Sequence, residues 1–218
     1  MSDSPETAAK RRGRPRSFDR AAALDCAMKL FWKHGYEGTS INELTTAMGI
    51  TPPSLYAAFG DKERLFLEAV SRYRSGPGNA WRAFAEAGPV RDAIEKMLVS
   101  SAAELTCPTH PPGCMVVLAA MNCSEASSHL HAALADVRGE AESFFRSEIQ
   151  RGVDEGELLA DTDVATLAKF YMTVLQGMTI QARDGATGEA LLDVAKTAMR
   201  AWPAPARRLR KPAAEQSR

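Results

Sequence analysis

An all-α fold is predicted for this chain of 218 residues by three observations. Apolar residues recur at i, i+3, i+4 spacing through most of the sequence, strand-like alternation is absent, and the periodic runs are closed by Gly, Pro or capping residues. Eight to ten helices are expected, with no internal repeat. Hydrophobic content of 45% supplies a packed core, and the length permits one or two domains.

The first helix is expected from Phe18 to His34, with Leu24, Ala27, Met28 and Phe31 on one face and a stop at Gly35. Thr39 or Ser40 caps the second, whose apolar positions are Ile41, Leu44, Ala47 and Met48. A hydroxyl at that place accepts a bond from an otherwise orphan backbone N–H. Gly49 sits where a helix commonly stops, because it takes the left-handed conformation without a Cβ clash. Thr51 caps a third helix, with Pro52 and Pro53 in its first turn, where a missing N–H costs little. Leu55, Tyr56 and Phe59 form its apolar and aromatic side, and Gly60 ends it. Asp61 caps the fourth, which starts at Lys62 and carries Leu65, Phe66, Ala69, Val70 and Tyr73. Ser75-Gly76-Pro77-Gly78 breaks the pattern and is the natural domain boundary.

Beyond it, Arg91 to Leu105 carries Ile94, Met97, Leu98 and Leu105, and Cys107 to Gly113 is a loop with three prolines. Met115 to Asn122 is almost wholly apolar and is expected to be buried. Ser128 to Val153 carries Leu130, Leu134, Val137, Ala141, Phe144, Phe145 and Ile149. Val164 to Met178 has the cleanest period, through Leu167, Ala168, Tyr171, Val174 and Leu175, and Thr187 to Trp202 repeats it. Asp184-Gly185-Ala186 joins these two as antiparallel neighbours. Their rich apolar faces suit a four-helix interface with a second copy.

Two short helices joined by a tight Gly-containing turn match the helix-turn-helix unit, whose second helix enters the DNA major groove. The same hairpin also suits an ordinary helical core. The segment ahead of it favours DNA. From Lys10 to Arg20 there are six basic residues and one acidic residue, and Gly13-Arg14-Pro15 resembles an arm that lies in an A·T-rich minor groove. Arg12, Arg14 and Arg16 are its candidate contacts. Residues 1–17 read as a flexible basic arm, 18–74 as a helix-turn-helix domain, 79–202 as a helical domain that carries the dimerisation faces, and 203–218 as a flexible basic tail.

The formal net charge is zero, but its distribution is uneven. Residues 1–75 hold 12 basic and 9 acidic residues, residues 76–206 hold 10 and 17, and residues 207–218 hold 5 and 1. Phosphate binding needs a local basic patch rather than a basic protein. An acidic body disfavours non-specific contact with DNA through the wrong face. No apolar run approaches the roughly 20 residues of a membrane helix, and none follows the charged start as a secretory signal requires. A cytoplasmic location with no membrane partner is expected, so Cys26, Cys107, Cys114 and Cys123 are expected to be free thiols.

The run from Phe18 to Tyr73 resembles the DNA-binding domain of the TetR/AcrR transcriptional regulators. The resemblance lies in the spacing of Phe31, Gly35, Tyr36 and Thr39, in Ile41, in Ala47-Met48-Gly49, and in Leu55, Tyr56, Phe59, Lys62, Glu63 and Leu65. It covers about a quarter of the chain. It implies a homodimer that binds a palindromic operator, usually represses transcription, and releases DNA when a small molecule binds. By the same resemblance Thr39 and Ser40 fall at a phosphate contact. Thr51, Pro52, Pro53, Ser54 and Leu55 fall at the exposed start of the recognition helix, and Tyr56 and Lys62 at further phosphate contacts. A lysine at a helix N-terminus adds its charge to the local dipole there. Pro52, Pro53 and Leu55 offer thymine methyl groups apolar contact, while Thr51 and Ser54 can bond to bases or phosphate.

An apolar effector pocket is the family expectation, with Cys114, Met115, Leu118, Met121, Phe144, Phe145, Phe170, Tyr171 and Gln176 as candidate lining. Cys107, Cys114 and Cys123, with His110, His129 and His131 nearby, suit a thiol switch, a soft-metal site or plain burial. Their spacing matches no standard zinc pattern. If one helix spans Cys114 and Cys123, they lie about 13 Å apart along its axis, too far for a disulfide. Cys114 with His110 or His129 is the one enzymatic alternative, and it lacks a third orienting group. No motif calls for a cofactor.

Overall fold

Asp19 opens the first helix with its carboxylate, which accepts the N–H groups of Ala21 and Ala22. The computed structural model describes residues 19–78 and 88–203. Arg12, Arg14 and Arg16 and the residues after 203 therefore lie outside the described residues. Helix α1 (Arg20–His34) starts two residues later than expected and ends at Gly35, whose φ is +76°. Ser40, not Thr39, caps α2 (Ile41–Met48). Its hydroxyl accepts the Glu43 N–H, and the Glu43 carboxylate accepts the Ser40 N–H in return, so two orphan donors are satisfied reciprocally. Gly49 takes the left-handed conformation at φ +65° and turns the chain into α3 (Pro52–Phe59). Thr51 sits at the cap of α3 without capping it, since its hydroxyl is 3.0 Å from that of Ser54. Asp61 caps α4 (Lys62–Arg74) through the Arg64 N–H.

Helix α5 (Val90–Leu105) takes its cap from a distant residue, because the Glu157 carboxylate accepts the Val90 N–H at 2.7 Å. The apolar run after Cys114 departs from expectation. Only Met115–Leu118 forms a helical turn, α6, and Met121 is half exposed. The reason lies in competing donors. Arg138 donates to the Val116 carbonyl, the Tyr36 N–H to that of Ala119 at 2.7 Å, and the His131 ring to that of Ala120. Those carbonyls are captured before a helix ladder can use them. Cys114 and Cys123 consequently share no helix.

A 3-10 turn (Glu125–Ser127) leads into α7 (Ser128–Asp154), the longest described helix. Helix α8 (Val164–Arg183) runs past Met178 to Asp184, and Gly185 at φ +96° reverses the chain into α9 (Gly188–Ala198). Helix α9 gives way to a 3-10 turn at Met199–Ala201, short of Trp202. Nine α-helices and no strand occur among the described residues.

Two apolar cores result. One joins α1, α3 and α4 to Met115, Val116, Ala119 and Ala120, and to Leu130 and Leu134 at the start of α7. The other lies among α5, the end of α7, α8 and α9, around Phe145, Tyr171 and Leu191. Cys114 packs against both.

Candidate DNA-binding face and effector cavity

Helix α3 presents one face outward and buries the other. Thr51, Pro52, Pro53 and Tyr56 are exposed, Ser54 is half-buried, and Leu55 and Phe59 point into the core. Leu55 is 0% exposed, so it holds the hairpin in place and its side chain does not reach a base. This corrects its assignment from sequence: Leu55 and Phe59, four apart, share the inner stripe. The back of α3 is also pinned from outside. The Arg20 guanidinium lies 4.5 Å from the Phe59 ring centroid, forks onto Glu68 at 2.6 and 2.7 Å, and reaches the Ala58 carbonyl.

Thr39 is likewise an interior residue. It is 1% exposed and its hydroxyl donates to the Gly35 carbonyl at 2.7 Å, so that hydroxyl is not offered to phosphate. Ser40 is exposed, with its hydroxyl held against the Glu43 carboxylate at 2.8 Å. Lys62 stands at the first position of α4, its ammonium 4.3 Å from the Tyr36 ring centroid. Burial pushes the Lys62 pKa down, against the pull of Glu37 and Glu43. Ser40, Glu43, Lys62 and Tyr36 thus share one corner at the start of α4, just after α3 ends.

At its far end α4 enters a cavity of about 530 Å³, within the usual size range of small-molecule sites. Tyr73 and Arg74 of α4, Glu104 and Leu105 of α5, Cys114 and Val117 around α6, Val137, Arg138 and Phe145 of α7, and Met172, Leu175 and Gln176 of α8 are among its walls. Of the pocket residues expected from sequence, Cys114, Phe145 and Gln176 are brought together here. Met115, Leu118, Met121, Phe144, Phe170 and Tyr171 lie outside the lining. Met115 is in the first core, Phe144 and Tyr171 are in or against the second, and Phe170 is partly exposed on α8.

The Tyr73 hydroxyl donates to Cys114 Sγ at 3.4 Å, and burial beside that thiol raises the Tyr73 pKa well above its ordinary value. Tyr73 meets Trp32 edge to face at 4.8 Å, and the Trp32 indole N–H donates to the Gly113 carbonyl at 3.0 Å. Trp32 also stacks on His110, which is bonded to Glu104 at 3.0 Å. The cavity wall and α1 are therefore in direct contact. Sequence reasoning placed Tyr73 on the apolar stripe of α4 and assigned Arg138 no role. No local signal announces either, because the cavity is assembled from five helices spread along the chain.

The alternatives raised for the cysteines fare differently. His110 is bonded to Glu104 and Pro111, and His129 to Glu63 at 2.9 Å, while Cys114 is bonded to Tyr73; the cysteine–histidine dyad is not assembled. Among the described residues no group of three or more His, Cys, Asp or Glu is arranged to hold a metal ion. No described helix is long and apolar enough to cross a membrane.

An exposed hairpin helix carried on a helical body that encloses a cavity defines a helix-turn-helix transcriptional regulator. Residues 23–69 match the family described as bacterial regulatory proteins, tetR family, and residues 92–199 match a tetracyclin repressor-like C-terminal domain. The HTH-type transcriptional repressor ComR of Escherichia coli is 37% identical over 92% of this chain and 97% of its own length. The HTH-type regulator YezE of Bacillus subtilis is 32% identical over 83% of this chain and 94% of its own. A cysteine variant of the TetR family regulator CifR, solved with 26-bp operator DNA, is 46% identical, with a TM-score of 0.84 over 87% of this chain and 100% of that one. The chain belongs to the TetR family, whose members regulate transcription and are not enzymes.

Proposed function

We propose that the chain is a homodimeric cytoplasmic repressor that binds a palindromic operator and lets it go when a small molecule, electrophile or oxidant reaches the cavity. The observation that carries this reading is the course of α4. It begins at Lys62, just after the recognition helix ends, and finishes with Tyr73 and Arg74 in the cavity wall. A ligand that displaces Tyr73 moves α4, and the hairpin packed on it moves too. The shift can be no larger than the difference in the ligand's affinity for the two arrangements.

On this reading Ser40, Tyr56 and Lys62 meet phosphate, and Thr51, Pro52, Pro53 and Ser54 face the major groove. Arg12, Arg14 and Arg16 reach the minor groove, so phosphate positioning and DNA shape carry much of the recognition. The dimer is supported by a strip on α8 and α9. Phe170, Val174, Ala190, Val194 and Thr197 line a shallow apolar depression there, and Ile180 is 49% exposed. A two-fold copy covering that strip supplies the symmetry a palindrome needs, with half-sites about 34 Å apart or a multiple of that.

Fluorescence anisotropy of the reduced protein with the DNA upstream of its own gene, against an unrelated duplex at several salt concentrations, tests the reading. Preferential binding with a steep salt slope is the expected result; equal, weak binding to both would count against it. Deleting residues 1–16 should weaken binding and flatten the slope by about 0.9 for each phosphate that the arm had neutralised. An unchanged slope would show that the arm neutralises none. Cys114→Ser should abolish release by oxidants and electrophiles while operator binding in their absence persists. If the serine variant still responds to those reagents, Cys114 is not the sensor.

A further inference from the structure

Three charged side chains line the cavity, and two already have polar partners. Glu104 is bonded to His110, and Arg74 pairs with Glu140. Arg138 is different. Among the described residues it has no carboxylate partner, and its one hydrogen bond runs from Nη1 to the Val116 carbonyl at 2.9 Å. A guanidinium carries five N–H donors in a planar fork, so the remaining donors are uncommitted. The group is half-buried, and burial pushes its pKa down; the titratable neighbour that acts on it is the Cys114 thiol. A cation in such a place gains most from an anion that replaces lost water. The walls beyond it, Val117, Phe145, Met172 and Leu175, are apolar.

We propose that the cavity selects small amphipathic monoanions, a carboxylate first among them, with Arg138 gripping the acid group and the tail lying along Phe145, Met172 and Leu175. This rests on the cavity's being the effector site. One unpaired cation suits one negative charge and not the several charges of a polyphosphate. Recognition by a fork also favours a planar carboxylate over a neutral group of the same shape. Arg138 reaches the Val116 carbonyl, and Val116 is buried in the core that holds α1, α3 and α4. An acid that draws the guanidinium into the cavity therefore pulls on a hydrogen bond anchored in that core.

The test uses the full-length protein and three probes that share one tail: octanoate, octanol and octylamine. Calorimetric titration should give octanoate an affinity at least about tenfold above that of the other two, the scale of a charge-assisted hydrogen bond. Arg138→Gln should erase that preference while octanol binding persists, and Arg138→Lys should restore part of it. Equal affinity for octanoate and octanol in the unaltered protein, or no octanoate binding at all, would overturn the proposal without recourse to any variant. Unchanged octanoate selectivity in Arg138→Gln would overturn it too. Operator anisotropy with the same probes separates the two readings. Selective octanoate binding that leaves the operator bound refutes the effector role but not the ligand class. Release by all three probes alike refutes the ligand class but not the effector role.

Discussion

Trp32→Ala is expected to lower the unfolding free energy by about 3–5 kcal/mol, the usual range for removing a large aromatic from a core. Trp32 is 1% exposed, although it belongs to α1 in the DNA-binding half. Its ring stacks on His110 with centroids 4.4 Å apart and meets Tyr73 edge to face. Its indole N–H satisfies the Gly113 carbonyl. Truncation opens a cavity and also strips that acceptor of its donor. Trp32→Phe separates the two effects: most of the packing stays, and the missing hydrogen bond alone should cost about 1–3 kcal/mol. Urea unfolding of the three proteins measures both. A loss under about 1 kcal/mol for the alanine variant would contradict the burial described above. Gly113 is itself hard to replace, since its φ is +83° and an added Cβ would come within 3.0 Å of the Thr179 carbonyl oxygen.

Val194→Glu should leave a folded monomer whose operator affinity is about 100-fold or more weaker, the scale of avidity forfeited when two linked sites separate. Val194 is 44% exposed in the single chain, so a carboxylate there is solvated and the fold persists. Across a two-fold axis the same change places two unpaired carboxylates in an apolar contact, and each is costly to desolvate. Sedimentation at micromolar concentration should show the unaltered protein as a dimer and the variant as a monomer, with matching far-ultraviolet circular dichroism. A monomeric unaltered protein would end the dimer reading. A dimeric variant with full operator affinity would move the interface away from α8 and α9.

Helix starts were legible in the sequence because capping is a local transaction. Ser40 (one of the two hydroxyls expected there), Asp61, and Gly49 after Met48 each act within four residues, and the structure uses them, while Thr51, also expected as a cap, turns its hydroxyl to Ser54 instead. The end of the apolar run after Cys114 was not legible. Whether Ala119 and Ala120 continue a helix depends on the Tyr36 N–H and the His131 ring, which arrive from other elements. The inward turn of Leu55 could have been read from its four-residue spacing to Phe59. The burial of Thr39 could not, because its partner is the Gly35 carbonyl at the end of a different helix. Among the cavity residues, Cys114 and Gln176 announced themselves by type. Tyr73 and Arg138 became meaningful only when α4 and α7 were brought to the same wall.

The DNA-binding half is finished by pieces of chain that lie well beyond it. The Tyr36 N–H ends on the Ala119 carbonyl, the Glu37 carboxylate accepts both the N–H and the hydroxyl of Ser124, and Leu130 and Leu134 close its core. A cut at Ser75 would strand the Trp32 indole and leave one side of that core open to water. The hairpin is therefore no detachable cartridge. Recombination could trade it between relatives only if the crossover carried the stretch from 113 to 134 along, and that stretch also holds one wall of the cavity. On the proposed function, which DNA is read and which molecule is sensed are in this way inherited together.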